Sequence, residues 1–360
     1  MYPSVPTARD NPNLVGHEAA ERRLLEEWTT GRLAHAWLIG GPRGIGKATL
    51  AYRFARFVLA GGGSSDAGLF GSSLDTLALS PDHPVFRRVA SGGHADFLSV
   101  ERGWADEKRS KRRKEIVVED VREIGAFLSL TPAEGGWRVV LIDAADEMNR
   151  NAANALLKIL EEPPRRSLLL LVCHNPGSLL PTIRSRCRFL KMRPLPLPAV
   201  MELLRRYRPD LPEADLAPLA ILGEGSFGRS LDLAESGGLA LYGEIIGLLR
   251  GAPGIDVGRL YAFSDRVGKT ETESRATMEL LGWWLARLIR QAARGSPEQE
   301  EVVEGESALA ERFSRACSLD QWVEVWEKVT HLFARGDAVN LDQKQVIRSA
   351  ILMIEKVVRA

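Results

Sequence analysis

Cysteine is scarce. Only Cys173, Cys187 and Cys317 occur in 360 residues, and no two stand at CxxC spacing. Three such thiols cannot build a disulfide framework or a four-cysteine zinc site, and reduced thiols in a reducing compartment fit them best. An excess of one charge sign is also missing. The chain holds 48 Lys+Arg against 47 Asp+Glu, a formal net charge of +1, so bulk charge does not make it an obligate polyanion binder. Long apolar runs are missing as well. The longest candidate, Leu168 to Cys173, has strand length, so no membrane-spanning helix is expected. The first sixteen residues lack the apolar core of a secretory leader, and a cytoplasmic location is expected. There is no internal repeat and no heptad array. What remains is an ordinary soluble composition, 45% hydrophobic and 26% charged, at a length suited to two or three domains.

The first half alternates strand-like and helix-like segments. Strands are expected at His35–Gly40, Phe97–Val100, Val139–Ile142, Leu168–Val172 and Arg188–Met192. Helices are expected at Ala48–Leu59, Val117–Leu128 and Asn151–Glu162, the last stopped by Pro163-Pro164. Gly61 to Ser73 reads as a loop. Such alternation predicts an α/β fold, a parallel sheet with helices on both faces. After Pro194-Leu-Pro-Leu-Pro198 the strand-like runs stop. Three short helices are expected up to about Glu235, then long helices to the end, with breaks at Gly251–Gly254 and Gly295–Glu306. The predicted domains are residues 1–193, 194–238 and 239–360.

Gly41-Pro-Arg-Gly44-Ile-Gly46-Lys47-Ala48-Thr49 stands between the first strand and the next helix. This is a GxxxxGK phosphate loop. Its glycines let backbone amides curl around phosphates, the helix N-terminus adds its positive end, and Lys47 reaches the outer phosphates. The hydroxyl that normally follows the lysine and holds Mg²⁺ is replaced by Ala48. Thr49, one residue later, is turned about 100° around the helix and cannot be assumed to substitute. Asp143 ends the buried strand Val139–Ile142, where a magnesium-shell carboxylate belongs, but the following position is Ala144 instead of a water-activating Glu. Asp146 and Glu147 are displaced, and we expect them to begin the next segment. General-base hydrolysis at this site is not expected.

These residues, with Asn154-Ala-Leu-Leu-Lys-Ile-Leu-Glu-Glu-Pro-Pro164 and Ser185-Arg186-Cys187, resemble the bacterial DNA polymerase III clamp-loader subunits of the AAA+ class. Asn11 to His17 is similar to that group's adenine-pocket segment. The resemblance is strong from about 11 to 194, weak through Gly225-Ser226, and faint at Asn340–Gln345. It implies an AAA+ phosphate-loop domain, a small helical lid and an all-α collar. Within the group, Ala48 and Ala144 are most similar to the delta' type, a stator-like member with a degenerate nucleotide site. The resemblance implies that Arg186 acts as an arginine finger on a neighbour's ATP. It implies motor (gamma/tau) and delta subunits, the sliding clamp and primer–template DNA as partners. Gly41, Gly44, Gly46, Lys47, Thr49 and Asp143 are the candidate nucleotide residues. ATP or ADP binding is possible but no cofactor is required.

Several departures from the group matter. The cysteine-free stretch after the phosphate-loop helix implies that the zinc module of many relatives is absent, and no metal site is expected. His83, His94 and Asp96 lack a fourth ligand at suitable spacing. The usual sensor residue is replaced around Cys173-His174-Asn175, and the small-domain sensor position holds Gly228, with Arg229 one place late. Lys108, Arg109, Lys111, Arg112, Arg113 and Lys114 form a basic run. Its expected reading is a solvated loop, the alternative a phosphate-backbone contact. Trp322 and Trp326, four apart, are expected to share a helix face, and with Trp283-Trp284 to serve packing. A self-contained AAA+ ATPase is the alternative function. A kinase-like transferase is disfavoured for want of an acceptor-activating base.

Overall fold

A computed structural model describes residues 5–62, 76–105, 112–134, 136–295, 300–339 and 341–359. The chain divides into two compact units, Met1–Ala199 and Val200–Ala360. The division does not separate residues 194–238 from 239–360.

In the first unit the order is α1 (Glu18–Thr29), β1 (Ala36–Gly40), α2 (Lys47–Leu59), α3 (Pro84–Ala90), β2 (Phe97–Val100), α4 (Val118–Ser129), β3 (Arg138–Asp143), α5 (Arg150–Glu161), β4 (Ser167–Cys173), α6 (Pro181–Arg184) and β5 (Arg188–Lys191). A short 3₁₀ turn, Ala145–Glu147, joins β3 to α5. The five strands form one sheet in the order β2-β3-β4-β1-β5, and every pairing is parallel. β1, β3 and β4 are apolar nearly throughout because both sheet faces are covered. Successive side chains alternate between those faces. Trp37, Ile39, Leu141 and Leu170 join a core with Leu50, Phe54 and Phe57 of α2. Ala36, Leu38, Ile142 and Leu171 join one with Ile124 of α4 and Leu156 of α5. The expected strands and helices of this half are all present, with ends shifted by a residue or two. Three helices were not expected: α1, the four-residue α6, and α3, which His83 caps through Nδ1 accepting from the Val85 amide at 3.2 Å.

The second unit is helical among its described residues. It takes in most of α7 (Leu197–Tyr207), then α8 (Glu213–Leu222), α9 (Phe227–Glu235), α10 (Gly238–Leu249), α11 (Val257–Val267), α12 (Glu271–Arg294), α13 (Glu306–Ala316), α14 (Leu319–Ala338) and α15 (Gln343–Arg359). Trp284 of α12 stands edge-on to Phe313 of α13 at 5.5 Å, and Phe313 stacks on Trp322 of α14 at 5.6 Å. The two α14 tryptophans do not share an environment. Trp322 is fully buried whereas Trp326 is 37% exposed. A four-residue step turns a side chain about 40° around the axis, enough at the edge of a buried stripe to bring it into solvent. Trp326, Leu319 and Val323 thus form an exposed apolar strip along α14.

Two arginines of α2 fasten the N-terminal segment. Arg56 is buried and donates to the carbonyls of Arg9 at 3.1 Å and Asn11 at 2.7 Å. Its guanidinium also lies 4.1 Å from the Phe86 ring centre, and burial pushes its pKa down to about 10. Arg53 donates to the Pro12 carbonyl and pairs with Glu21 at 2.6 Å. These carbonyls lie outside the sheet, so the arginines supply hydrogen bonds that no strand provides. Arg56→Ala is expected to cost about 2–4 kcal/mol, because it strands two carbonyls and opens a cavity. Urea unfolding measures the loss, and limited proteolysis should show new cleavage near residue 10. A wild-type midpoint and digest would refute the fastening role.

Candidate functional site

β1 ends at Gly40, and the chain turns at once into the phosphate loop. Gly44 and Gly46 adopt φ of +76° and +100°, conformations that L side chains rarely adopt. α2 starts at Lys47 with no side-chain cap on its first turn, so its leading amides are available to an anion. Lys47 is only 3% exposed. Its Nζ donates to the Pro42 carbonyl within its own loop. Burial pushes its pKa down to about 8, against the opposing pull of Asp143 and Asp146. The N-terminal segment covers the loop: His17 Nε2 lies 2.6 Å from the Ile45 carbonyl. A side chain at Gly46 would meet Leu14 at 3.2 Å. Thr49 is buried one position beyond Ala48.

Asp143 closes β3 opposite Val172 of β4. Burial pushes its pKa up to about 6, with Glu101 adding to the rise and Lys47 opposing it. Asp146 does more than begin the next segment. Its carboxylate accepts from the amides of His174 at 2.9 Å and Asn175 at 3.0 Å, binding the loop after β4 to the 3₁₀ turn after β3. Burial opposes ionisation of Asp146, but those two amides outweigh it and hold the pKa low. His174 follows the end of β4. Burial, reinforced by the Lys47 charge, pushes its pKa down to about 4. It is therefore neutral at physiological pH. The residues present fit phosphates: a glycine-shaped loop, free helix amides and Lys47. They do not complete a magnesium shell of the usual kind, because Ala48 has no oxygen to add to the Asp143 carboxylate.

Arg186 lies elsewhere. It stands two positions after α6 and two before β5, at the sheet edge where the parallel strands begin. Trp37 at the start of β1 faces Arg188 at the start of β5, while the phosphate loop leaves the far end of β1. Four residues of strand rise separate the two, about 13 Å along the strands. Thus Arg186 and Lys47 occupy opposite edges of one sheet. The Arg186 side chain is 36% exposed, and its Nη2 pairs with Glu161 Oε1 at 2.7 Å. Its Nη1 donates to the Thr182 carbonyl at 3.1 Å. Burial pushes the neighbouring Cys187 thiol up to about 12, so Cys187 is no nucleophile near neutrality.

Of the basic run, Lys108, Arg109 and Lys111 lie outside the described residues. Lys114 is exposed. Arg112 pairs with Glu101 at 3.3 Å and lies 4.2 Å from the Trp104 ring centre. Arg113 pairs with Asp120 at 3.7 Å. An aromatic therefore does accompany the run, supplied by Trp104 from outside it. His83 and His94 both spend Nδ1 on backbone amides, of Val85 and Asp96. Asp96 accepts from the amides of Ala133 and Glu134. No group of three or more His, Cys, Asp or Glu placed to hold a metal occurs among the described residues, and no helix among them is long and apolar enough to cross a membrane. Arg229 pairs with Glu224 at 3.1 Å.

A family model described as DNA polymerase III, delta subunit matches residues 16–196. The DNA polymerase III subunit delta' of Pseudomonas aeruginosa is 40% identical over 196 residues, 54% of this chain and 53% of that protein. The subunit delta' of Yersinia pestis is 34% identical over 169 residues, 47% of this chain and 44% of that protein. The chain spans about half the length of these curated relatives. Among solved structures, a DNA polymerase III gamma subunit-related protein from Thermotoga maritima is 17% identical, covers 93% of this chain and 100% of its own, and has a TM-score of 0.37. With half of its length matched by the family model, the chain belongs to the DNA polymerase III delta subunit family of clamp-loader proteins.

Proposed function

We propose that the chain is a delta'-type, non-catalytic stator of the clamp loader. It assembles with motor (gamma/tau) and delta subunits and supplies Arg186 in trans to a neighbour's ATP, in support of loading the sliding clamp on primed DNA. The observation that carries this reading is the placement of Arg186 and Lys47 on opposite edges of one sheet. A guanidinium about 13 Å of strand away from its own phosphate loop cannot stabilise charge developing there. It is instead displayed at a surface, where the phosphate of an adjoining subunit can meet it. Ala48 and Ala144 support the non-catalytic half of the proposal. Residues 194–238 then serve as the lid and 239–360 as the collar, with the exposed strip of α14 on the collar. The Lys108–Lys114 run would add a sequence-independent DNA contact to the assembled loader.

If nucleotide binds, Gly41, Gly44 and Gly46 shape the cradle, the first amides of α2 and Lys47 meet the phosphates, and the Asn11–His17 segment lies over the loop. Such a group would supply occupancy and rigidity of the loop, not turnover.

Three outcomes are expected. In the reconstituted loader, Arg186→Ala should leave assembly intact and lower DNA-stimulated ATP hydrolysis severalfold. A finger is worth about 10³–10⁵ at its own site, diluted here by the sites that keep theirs. Undiminished clamp loading would end the finger assignment. The isolated chain should show no ATP turnover above background, and turnover abolished by Lys47→Ala would instead establish the self-contained motor. In EDTA, affinity for a fluorescent ADP should fall as pH rises. Deprotonation of Asp143 near pH 6 adds a repelling carboxylate, and loss of the Lys47 proton near pH 8 removes the attracting charge. Above pH 8 the fall should approach about tenfold per unit, and Lys47→Met should abolish that upper limb. No binding at any pH would refute the phosphate cradle.

A further inference from the structure

Arg186 is not free in the folded chain. Both of its terminal nitrogens are engaged within its own subunit, Nη2 by Glu161 at 2.7 Å and Nη1 by the Thr182 carbonyl at 3.1 Å. Glu161 is the last residue of α5, and Thr182 lies in α6. The chain thus brings the end of one helix against a residue just beyond another, across 25 positions of sequence. The guanidinium lies at the surface but is held along its own α6. The pair is open to solvent, with 36% of the Arg186 side chain and 50% of the Glu161 side chain exposed. Exposed ion pairs are weak and readily exchanged. A polyphosphate carries more charge than one carboxylate and offers bidentate acceptors, so it can take the guanidinium from Glu161.

We propose that Glu161 is a positioning residue for Arg186: it stows the guanidinium on its own chain until a neighbour's triphosphate displaces it. This rests on the trans role of Arg186 proposed above. Its carboxylate competes with the phosphate for Nη2. Glu161 therefore raises the nucleotide concentration needed to recruit Arg186, and it keeps the arginine neutralised when no neighbour is present. The exchange makes and breaks only ionic hydrogen bonds.

The pair itself is read in the free chain. Phenylglyoxal modification of Arg186, followed by mass spectrometry, should speed up severalfold in Glu161→Gln, while the thermal midpoint stays unchanged. An unchanged modification rate overturns the inference whatever Arg186 does in the complex. In the reconstituted loader, Glu161→Gln should lower the half-saturating ATP concentration by up to about fivefold, as a weak exposed pair allows, with the maximal rate within about twofold. The shift should vanish in the Arg186→Ala background. A higher half-saturating concentration, a collapse of the maximal rate, or a shift that survives in that background overturns the stowing role. Failure of Arg186→Ala alone to lower hydrolysis would count against the trans role, and the modification experiment would still decide the pair.

Discussion

The pairing of β1 between β4 and β5 fixes where every functional group of the first unit can stand. Because the three strands are parallel, all their ends of one kind lie on one edge of the sheet. The carboxyl edge receives the phosphate loop from β1 and the His174 turn from β4, and Asp143 of β3 joins them there. The amino edge receives Arg186 ahead of β5 and Glu161 ahead of β4. No side-chain rotation bridges the two edges. An arginine ahead of β5 and a phosphate loop at the end of β1 therefore cannot serve one and the same site within the subunit. The division of labour proposed for this chain follows from strand direction before any property of the residues is considered.

Electrostatics differ between those edges in a way that suits the division. At the carboxyl edge the charges are buried and poorly solvated. Lys47 and Asp143 both have pKa values moved toward neutrality, and His174 is held neutral. Moving a charge from water into such surroundings is costly unless it is paired. A phosphate would restore a partner to Lys47, but Asp143 would then need a cation that Ala48 does not help to hold. At the amino edge Arg186 and Glu161 are solvated, so exchanging one partner for another costs little. Buried charges make a rigid receptacle, and solvated ones make a reversible contact.

Much of this was legible in the sequence, and for identifiable reasons. β1, β3 and β4 announce themselves as short apolar runs because both sheet faces are covered, and Gly46-Lys47 and Pro163-Pro164 punctuate the elements around them. Ala48 and Ala144 can be read directly, since an absent oxygen needs no geometry. What escaped depends on long-range placement. The Asp146 carboxylate reaches the amides of His174 and Asn175 only because β3 and β4 are neighbours. The Glu161–Arg186 pair needs the amino edge to bring α5 and β5 together. Trp326 was expected beside Trp322 from spacing alone, but spacing gives relative angle and not the width of the buried stripe. α1 is a different case: Ala20, Leu24 and Leu25 provide a helical apolar face that local pattern could have revealed.

The phosphate loop also shows why a motif and an activity can separate. A side chain at Gly41 would come within 2.5 Å of the Met192 carbonyl, which lies beyond the end of β5. Gly46 holds a left-handed backbone under Leu14 and His17. Lys47 is buried against the carbonyl of Pro42. Each of these positions is constrained by packing within the subunit, whether or not phosphate is present. Packing within the subunit is therefore enough to account for the glycines and the buried lysine of the GxxxxGK pattern, and it makes no demand for an oxygen at Ala48 or Ala144. The glycines of this loop testify to a chain that must turn sharply between β1 and α2, whatever the loop binds.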